Sequence, residues 1–183
     1  MKHYAFFSQT GSEIATVSER LGRWPDRIIT NKRPEHLRTI SPKLAGKEII
    51  YLSNKPTVEE YMEVLGYEPC NITLHGWLRI VPPAVIERYP FIYNGHPGLI
   101  TKFPALKGKD PQEKAFHLGI PFSGCVIHKV TEGVDEGIVL AEKLVEIGFL
   151  NLDEVYEKLH EASIELWIDF VEFLYAHKKN KDI

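Results

Sequence analysis

Asn94 and His96 stand two positions apart in the stretch YNGHPGLITKFP, after the apolar run Phe91-Ile92-Tyr93 and before Pro97-Gly98. In extended chain, residues i and i+2 point to one side. An Asn amide donates a hydrogen bond without titrating, and a His donates, accepts or carries charge near neutral pH. Side by side they suit a carbonyl oxygen that turns negative in a transition state. Such a site also needs a group to take a proton from the attacking nucleophile. Asp135 is the candidate, in a turn between Gly133 and Gly137, where glycine lets the backbone approach a ligand closely. The same three residues also fit plain turn chemistry, since Asn-Gly is a common turn pair and an Asp between strands often only shapes the turn. The chain has no G-x-S-x-G elbow, and neither Ser123 nor Cys125 stands in a nucleophile's context, so covalent hydrolysis is poorly supported.

The elements around these residues read as alternating strands and helices. Apolar runs predict strands over residues 4–7, 27–30, 48–52, 71–75 and 91–94, then two later strands over 124–130 and 138–145. Helices are predicted over 13–21, from Thr57 as N-cap to Leu65, from Pro82-Pro83 to Arg88, and from Pro111 with Asp110 as an acceptor N-cap. A long helix follows from Asp153 to about His177, with the stripe Val155, Leu159, Ala162, Leu166, Phe170, Leu174 at helical spacing. The Lys178-Lys179-Asn180-Lys181 end reads as a solvated tail. Strand–helix alternation implies an α/β fold with a mainly parallel sheet, whose ligands gather at the carboxyl ends of the strands. Asn94 and His96, Gly11-Ser12 and Gly76 all fall at such ends.

Composition narrows the partners. A chain of 183 residues suits one domain, 1–183, and is 44% apolar, with a net charge of -3. Mixed charge argues against nucleic-acid binding by bulk positive charge. No apolar run spans a bilayer, the start is too soon interrupted for a signal peptide, and two unpaired-looking cysteines, Cys70 and Cys125, fit a reducing cytoplasm. His75, His96 and His128 lack the local spacing of a zinc site, so no metal is expected.

Four motifs in order resemble the folate-dependent formyltransferases, most nearly the phosphoribosylglycinamide type. They are Gly76-Trp77-Leu78-Arg79-Ile80-Val81, Asn94-Gly95-His96-Pro97-Gly98-Leu99, Ser123-Gly124-Cys125-Val126-Ile127-His128 and Val134-Asp135-Glu136-Gly137. Ser8-Gln9-Thr10-Gly11-Ser12 and Thr30-Asn31-Lys32 extend the likeness toward the start, while Glu154-Val155-Tyr156-Glu157-Lys158-Leu159 is similar to the tRNA and amino-sugar formyltransferases. The resemblance implies a Rossmann-like formyltransferase domain that moves a formyl group from 10-formyltetrahydrofolate, a co-substrate, to a small-molecule amine. Asn94, His96 and Asp135 match the family's catalytic residues. Arg79, Ile80, Val81, Val130, Thr131 and Val134 match the segments that cradle the pterin. Gly11, Ser12 and Gly76 match the acceptor side, with Gly11-Ser12 as a phosphate loop. Glycinamide ribonucleotide is the lead acceptor, an amino sugar nucleotide the alternative, and formyltetrahydrofolate hydrolysis a further class. A homodimer is left open.

Some residues read two ways. Glu13 follows Ser12 where the family loop often has Asn, and a carboxylate there opposes a phosphate unless it points away. His128 and His75 suit either the site wall or hydrogen-bonded packing. His117 reads as a helix-end residue, Trp77 and Trp167 as core aromatics, and Cys125 as a small buried strand residue.

Overall fold

Residues 1–32 and 39–176 are described by the computed structural model of the chain. Seven strands form one sheet: β1 (Lys2–Phe7), β2 (Arg27–Thr30), β3 (Ile49–Tyr51), β4 (Cys70–Leu74), β5 (Ile92–His96), β6 (Phe122–Lys129) and β7 (Val139–Glu146), in the order β3-β2-β1-β4-β5-β6-β7. Among the described residues five α-helices connect or cover them: α1 (Ser12–Leu21), α2 (Val58–Leu65), α3 (Pro83–Arg88), α4 (Pro111–His117) and α5 (Leu152–Ala176). The first five strands pair parallel, and β6 and β7 add antiparallel. The expected α/β class is therefore present, with its parallel part in the first half. His177 and the Lys178–Lys181 tail lie outside the described residues. Among the described residues no helix is long and apolar enough to cross a membrane.

Local chemistry sets the element ends. The predicted capping box opens α2: Thr57 Oγ1 accepts the Glu60 N–H at 3.3 Å, and Glu60 Oε2 accepts the Thr57 N–H at 2.8 Å. Gly22 closes α1 in the left-handed region at φ 63°, its N–H returned to Glu19 O. The Asp110 expectation fails. This residue precedes α4 at φ 53° and makes no side-chain cap, while Pro111 at the first helical position has no N–H to satisfy. β5 also runs two residues further than expected. Gly95 and His96 pair with Ile127 and Val126 of β6, and this ladder, invisible in local sequence, holds the strand until Pro97 ends it.

Three apolar cores hold the sheet. One joins α5 and α4 to β6 and includes Trp167, Leu159, Val126 and Cys125. A second joins α2 and α3 to β1, β4 and β5, and includes Tyr61, Trp77, Phe6 and Cys70. A third seats α1 on Ala5, Phe7 and Ile28. The predicted α5 stripe is buried from Val155 to Phe170, with Leu174 partly buried beside it. Both cysteines are free and buried. The Cys125 thiol donates to Leu159 O at 3.1 Å.

Candidate active site

The glycine of Asn94-Gly95-His96 has a steric cause. An added Cβ on Gly95 would lie 2.6 Å from Trp167 Nε1 and 2.9 Å from Cε2. β5 thus crosses directly over the α5 indole, and period-two alternation turns Asn94 and His96 to the other side. There they meet residues from two other segments. Across the β5–β6 ladder Asn94 pairs with His128, and its Nδ2 lies 3.2 Å from His128 Nε2. Asp135, on the β6–β7 connection, sets Oδ1 at 3.2 Å from His128 Nε2 and Oδ2 at 3.4 Å from His96 Nδ1. The Gly108 N–H donates to the same Oδ2 at 2.8 Å. Sequence placed Asn94, His96 and Asp135 together, and the structure brings all three into one cluster, adding His128 at its centre.

Each histidine has one ring nitrogen committed to the backbone. His96 Nε2–H donates to Leu106 O at 2.7 Å, and His128 Nδ1–H donates to Lys129 O at 3.0 Å. Carbonyl oxygens only accept, so both protons are fixed there. The other nitrogen of each ring faces the Asp135 carboxylate. His128 Nε2 is within hydrogen-bond reach of Asp135 Oδ1, while His96 Nδ1 meets the carboxylate as a close charge contact at 3.4 Å. Burial pushes the Asp135 carboxyl up, but the His128 hydrogen bond, the nearby His96 and the Gly108 N–H outweigh it and hold the pKa below the ordinary carboxylate value. Burial also dominates at His96, where it pushes the pKa below the usual histidine value although Asp135 and the Leu106 carbonyl pull the other way. Asp135 sits at φ 53°, a left-handed conformation that Asp tolerates better than most side chains. Gly137 is explained by close packing: an added Cβ would meet Lys129 O. The glycine expected to admit a ligand there admits the neighbouring strand instead.

Two depressions open at the end of β5, one lined by members of the cluster and one by Gly95 and Pro97. One, of about 130 Å³, is lined by Asn94, His128 and Asp135 together with Arg79, Ile80, Val81, Val130, Thr131 and Val134. Arg79 braces its rim by donating to Asn54 O and Asn54 Oδ1, both at 2.6 Å. Ile80 and Val134 expose apolar surface there, at 74% and 55%. The other is an open cleft of about 560 Å³ on the Gly95 side, lined by Gly11, Ser12 and Gly76 and also by Glu13, His75, Asp110, Tyr156, His160 and Ser163. Gly11 caps α1 at φ 70°, where an added Cβ would strike Leu44. Sequence reading missed most of this second wall. Ser163 and Glu13 lie 150 positions apart, and no periodicity links them. The signals that existed were Glu13, set at a helix start beside Ser12, and His75, read as either site wall or packing.

Comparison with known proteins places the chain's family and fold. Residues 30–171 match the family described as formyl transferase. The phosphoribosylglycinamide formyltransferase of Bacillus subtilis is 33% identical over 92 residues, covering 49% of this chain and 46% of that protein. The methionyl-tRNA formyltransferase of Thermosipho melanesiensis is 31% identical over 186 residues, covering 92% of this chain and 54% of its own length. The chain thus spans about half the length of these curated relatives. Among solved structures, the phosphoribosylglycinamide formyltransferase of Bacillus halodurans superposes with a TM-score of 0.77 at 24% identity, covering 98% of each chain. That of Anaplasma phagocytophilum gives 0.80 at 19% identity, covering 97% of this chain and 88% of its own, so the fold is shared even where sequence has diverged. The family match covers well over half of the sequence, and the chain belongs to the formyl transferase family.

Proposed function

We propose that the protein transfers the formyl group of 10-formyltetrahydrofolate to a primary amine on a small acceptor. The observation that carries this reading is the end of β5: Asn94, His96 and Asp135 gather there, Asn94 and Asp135 line one depression, and Gly95 and Pro97 of the same stretch line the other. The depression lined by Ile80, Val81 and Val134 takes the flat pterin, and the cleft beside Gly11 takes the amine. The amine nitrogen attacks the formyl carbon, and a C–N bond forms. Asn94 and His96 donate to the formyl oxygen as it becomes an oxyanion. His96 keeps its Nε2–H on Leu106 O and donates, as the imidazolium, through Nδ1, the nitrogen that faces Asp135. Asp135 accepts the proton released by the amine, and the imidazole it faces passes that proton to N10 of the folate as the C–N10 bond breaks. Formylated amine and tetrahydrofolate leave, so atoms and charge balance with no redox step. The relatives' names, phosphoribosylglycinamide and methionyl-tRNA formyltransferase, support glycinamide ribonucleotide as the small-molecule lead acceptor, and the sequence resemblance keeps an amino sugar nucleotide as the alternative. Buried free thiols fit a reducing, cytoplasmic setting.

Incubation with 10-formyltetrahydrofolate, with and without amines, tests the reading. Tetrahydrofolate is followed by absorbance and formylated amine by mass spectrometry. Donor loss that requires an amine supports transfer. Loss without amine would make the protein a hydrolase. No loss under either condition would remove formyl chemistry.

A further inference from the structure

A phosphate ester is normally held by lysine, arginine or several free backbone N–H groups. The cleft beside Gly11 presents a carboxylate. Glu13 Oε1 accepts His75 Nδ1–H at 2.8 Å, and Oε2 accepts Ser163 Oγ–H at 2.7 Å. Its side chain is 18% exposed, enough to be met from the cleft and too little to swing into solvent without breaking both bonds. His75 is fixed in turn, its Nε2 3.0 Å from Thr73 Oγ1 and its ring 4.3 Å from that of Trp167. The turn expected to bind phosphate is also partly spent: the Ser12 N–H donates to Thr10 Oγ1 at 3.2 Å, and Thr10 Oγ1–H donates to Ser12 Oγ at 3.0 Å. Asp110 and Glu157 add two further carboxylates to the lining. The bases are His75, already committed to Glu13, and His160, and among the described residues no lysine or arginine lines the cleft. Burial pushes the Glu13 carboxyl up, but the bonds from His75 and Ser163 outweigh it and hold the pKa below the ordinary carboxylate value. The group is an anion at neutral pH.

From this geometry we infer that Glu13 is a specificity determinant. Fixed by His75 and Ser163, it selects an amine whose body carries hydroxyl or ammonium donors, and it excludes a phosphate from the Gly11-Ser12 turn. The inference rests on the formyl-transfer reading and goes beyond it, since it names the acceptor's chemistry and sets glycinamide ribonucleotide aside. Hydroxyls and ammonium groups share the same ability to donate to a carboxylate, so the experiment must separate them.

The test uses matched pairs under one assay: glucosamine against glucosamine 6-phosphate, and the riboside of glycinamide against its ribonucleotide. 1,3-Diaminopropane supplies an ammonium without hydroxyls. In the parent, the unphosphorylated member of each pair should show a KM lower by about tenfold or more. Glu13→Gln should narrow that gap by a similar factor, while Glu13→Asp, which keeps the charge, should preserve it. A lower KM for the diamine than for glucosamine would assign the ammonium arm, and the reverse the hydroxyl arm. An equal or lower KM for the phosphorylated member in the parent overturns the inference, and this comparison needs no variant to fold. An unchanged gap in a folded Glu13→Gln protein also overturns it. If no amine is formylated, the activity reading falls by itself. Calorimetric titration of the same pairs then decides the cleft, and equal or tighter binding of the phosphorylated member rejects the inference.

Discussion

Asp135→Asn replaces one oxygen with nitrogen and removes one charge from the centre of the site. The exchange should not disturb the fold. Asn tolerates the left-handed φ of 53°, and its remaining oxygen can still accept the Gly108 N–H now bonded at 2.8 Å. The electrostatic loss is larger. A unit charge 3.4 Å from His96 Nδ1 is worth about 5 kcal/mol to the imidazolium at an effective dielectric near 20. Even a third of that lowers the His96 pKa by roughly one unit, because one unit is about 1.4 kcal/mol. His96 is already held below the usual value by burial, so the variant's imidazole should titrate at still lower pH. Turnover should fall by at least about 10²-fold, since the amine proton loses its anionic acceptor. Steady-state kinetics with saturating amine gives the first quantity, and an NMR titration of carbon-labelled histidine gives the second. Turnover within a few fold of the parent would refute the proton-acceptor role. A His96 titration that did not move would refute the electrostatic argument even if activity fell. Loss of folate affinity with turnover intact would make Asp135 a binding residue.

Gly95→Ala forces a methyl into the Trp167 indole at 2.6 Å and should cost about 1–3 kcal/mol of stability, lowering the melting temperature and, by moving β5, turnover as well; a variant as stable and active as the parent would show that α5 yields freely. Glu13 has a folded pKa below its unfolded value of about 4.5, so it adds stability above that pH and loses it as pH falls through the folded value. Glu13→Gln should therefore flatten the acid limb of melting temperature against pH below about 4.5, and calorimetric scans with parallel limbs would rule this out.

Features written locally were legible in the sequence. Thr57 to Glu60 is a four-residue code for a helix start, and it appears as read. The α5 stripe is one face of one helix, so its period alone foretold its burial. Features that depend on distant partners were not legible in this way. Asn94-x-His96 said only that two polar groups share a side. That His128 would stand opposite Asn94, and bridge it to Asp135, depends on the antiparallel β5–β6 register. His75 and Glu13 lie 62 positions apart, and their pairing follows from the parallel neighbours β1 and β4 ending side by side. Asp110 misled because a good N-cap residue type can take the left-handed region, where its carboxylate serves no helix N–H and lines the cleft instead.

The two cysteines divide the molecule in a way useful for watching it breathe. Cys70 lies in the core under α2 and α3, and Cys125 in the core under α5, each 1% exposed. Burial pushes both thiols up, Cys70 to about 11, so neither offers a thiolate to a reagent while the protein stays closed. Modification by a thiol-specific label must then wait for the surrounding core to open, and its rate under fast-reclosing conditions reads the free energy of that opening. One unmodified chain thus carries a separate gauge in each core. The pair can reveal whether the core under α2 and α3 and the core under α5 loosen together or one before the other.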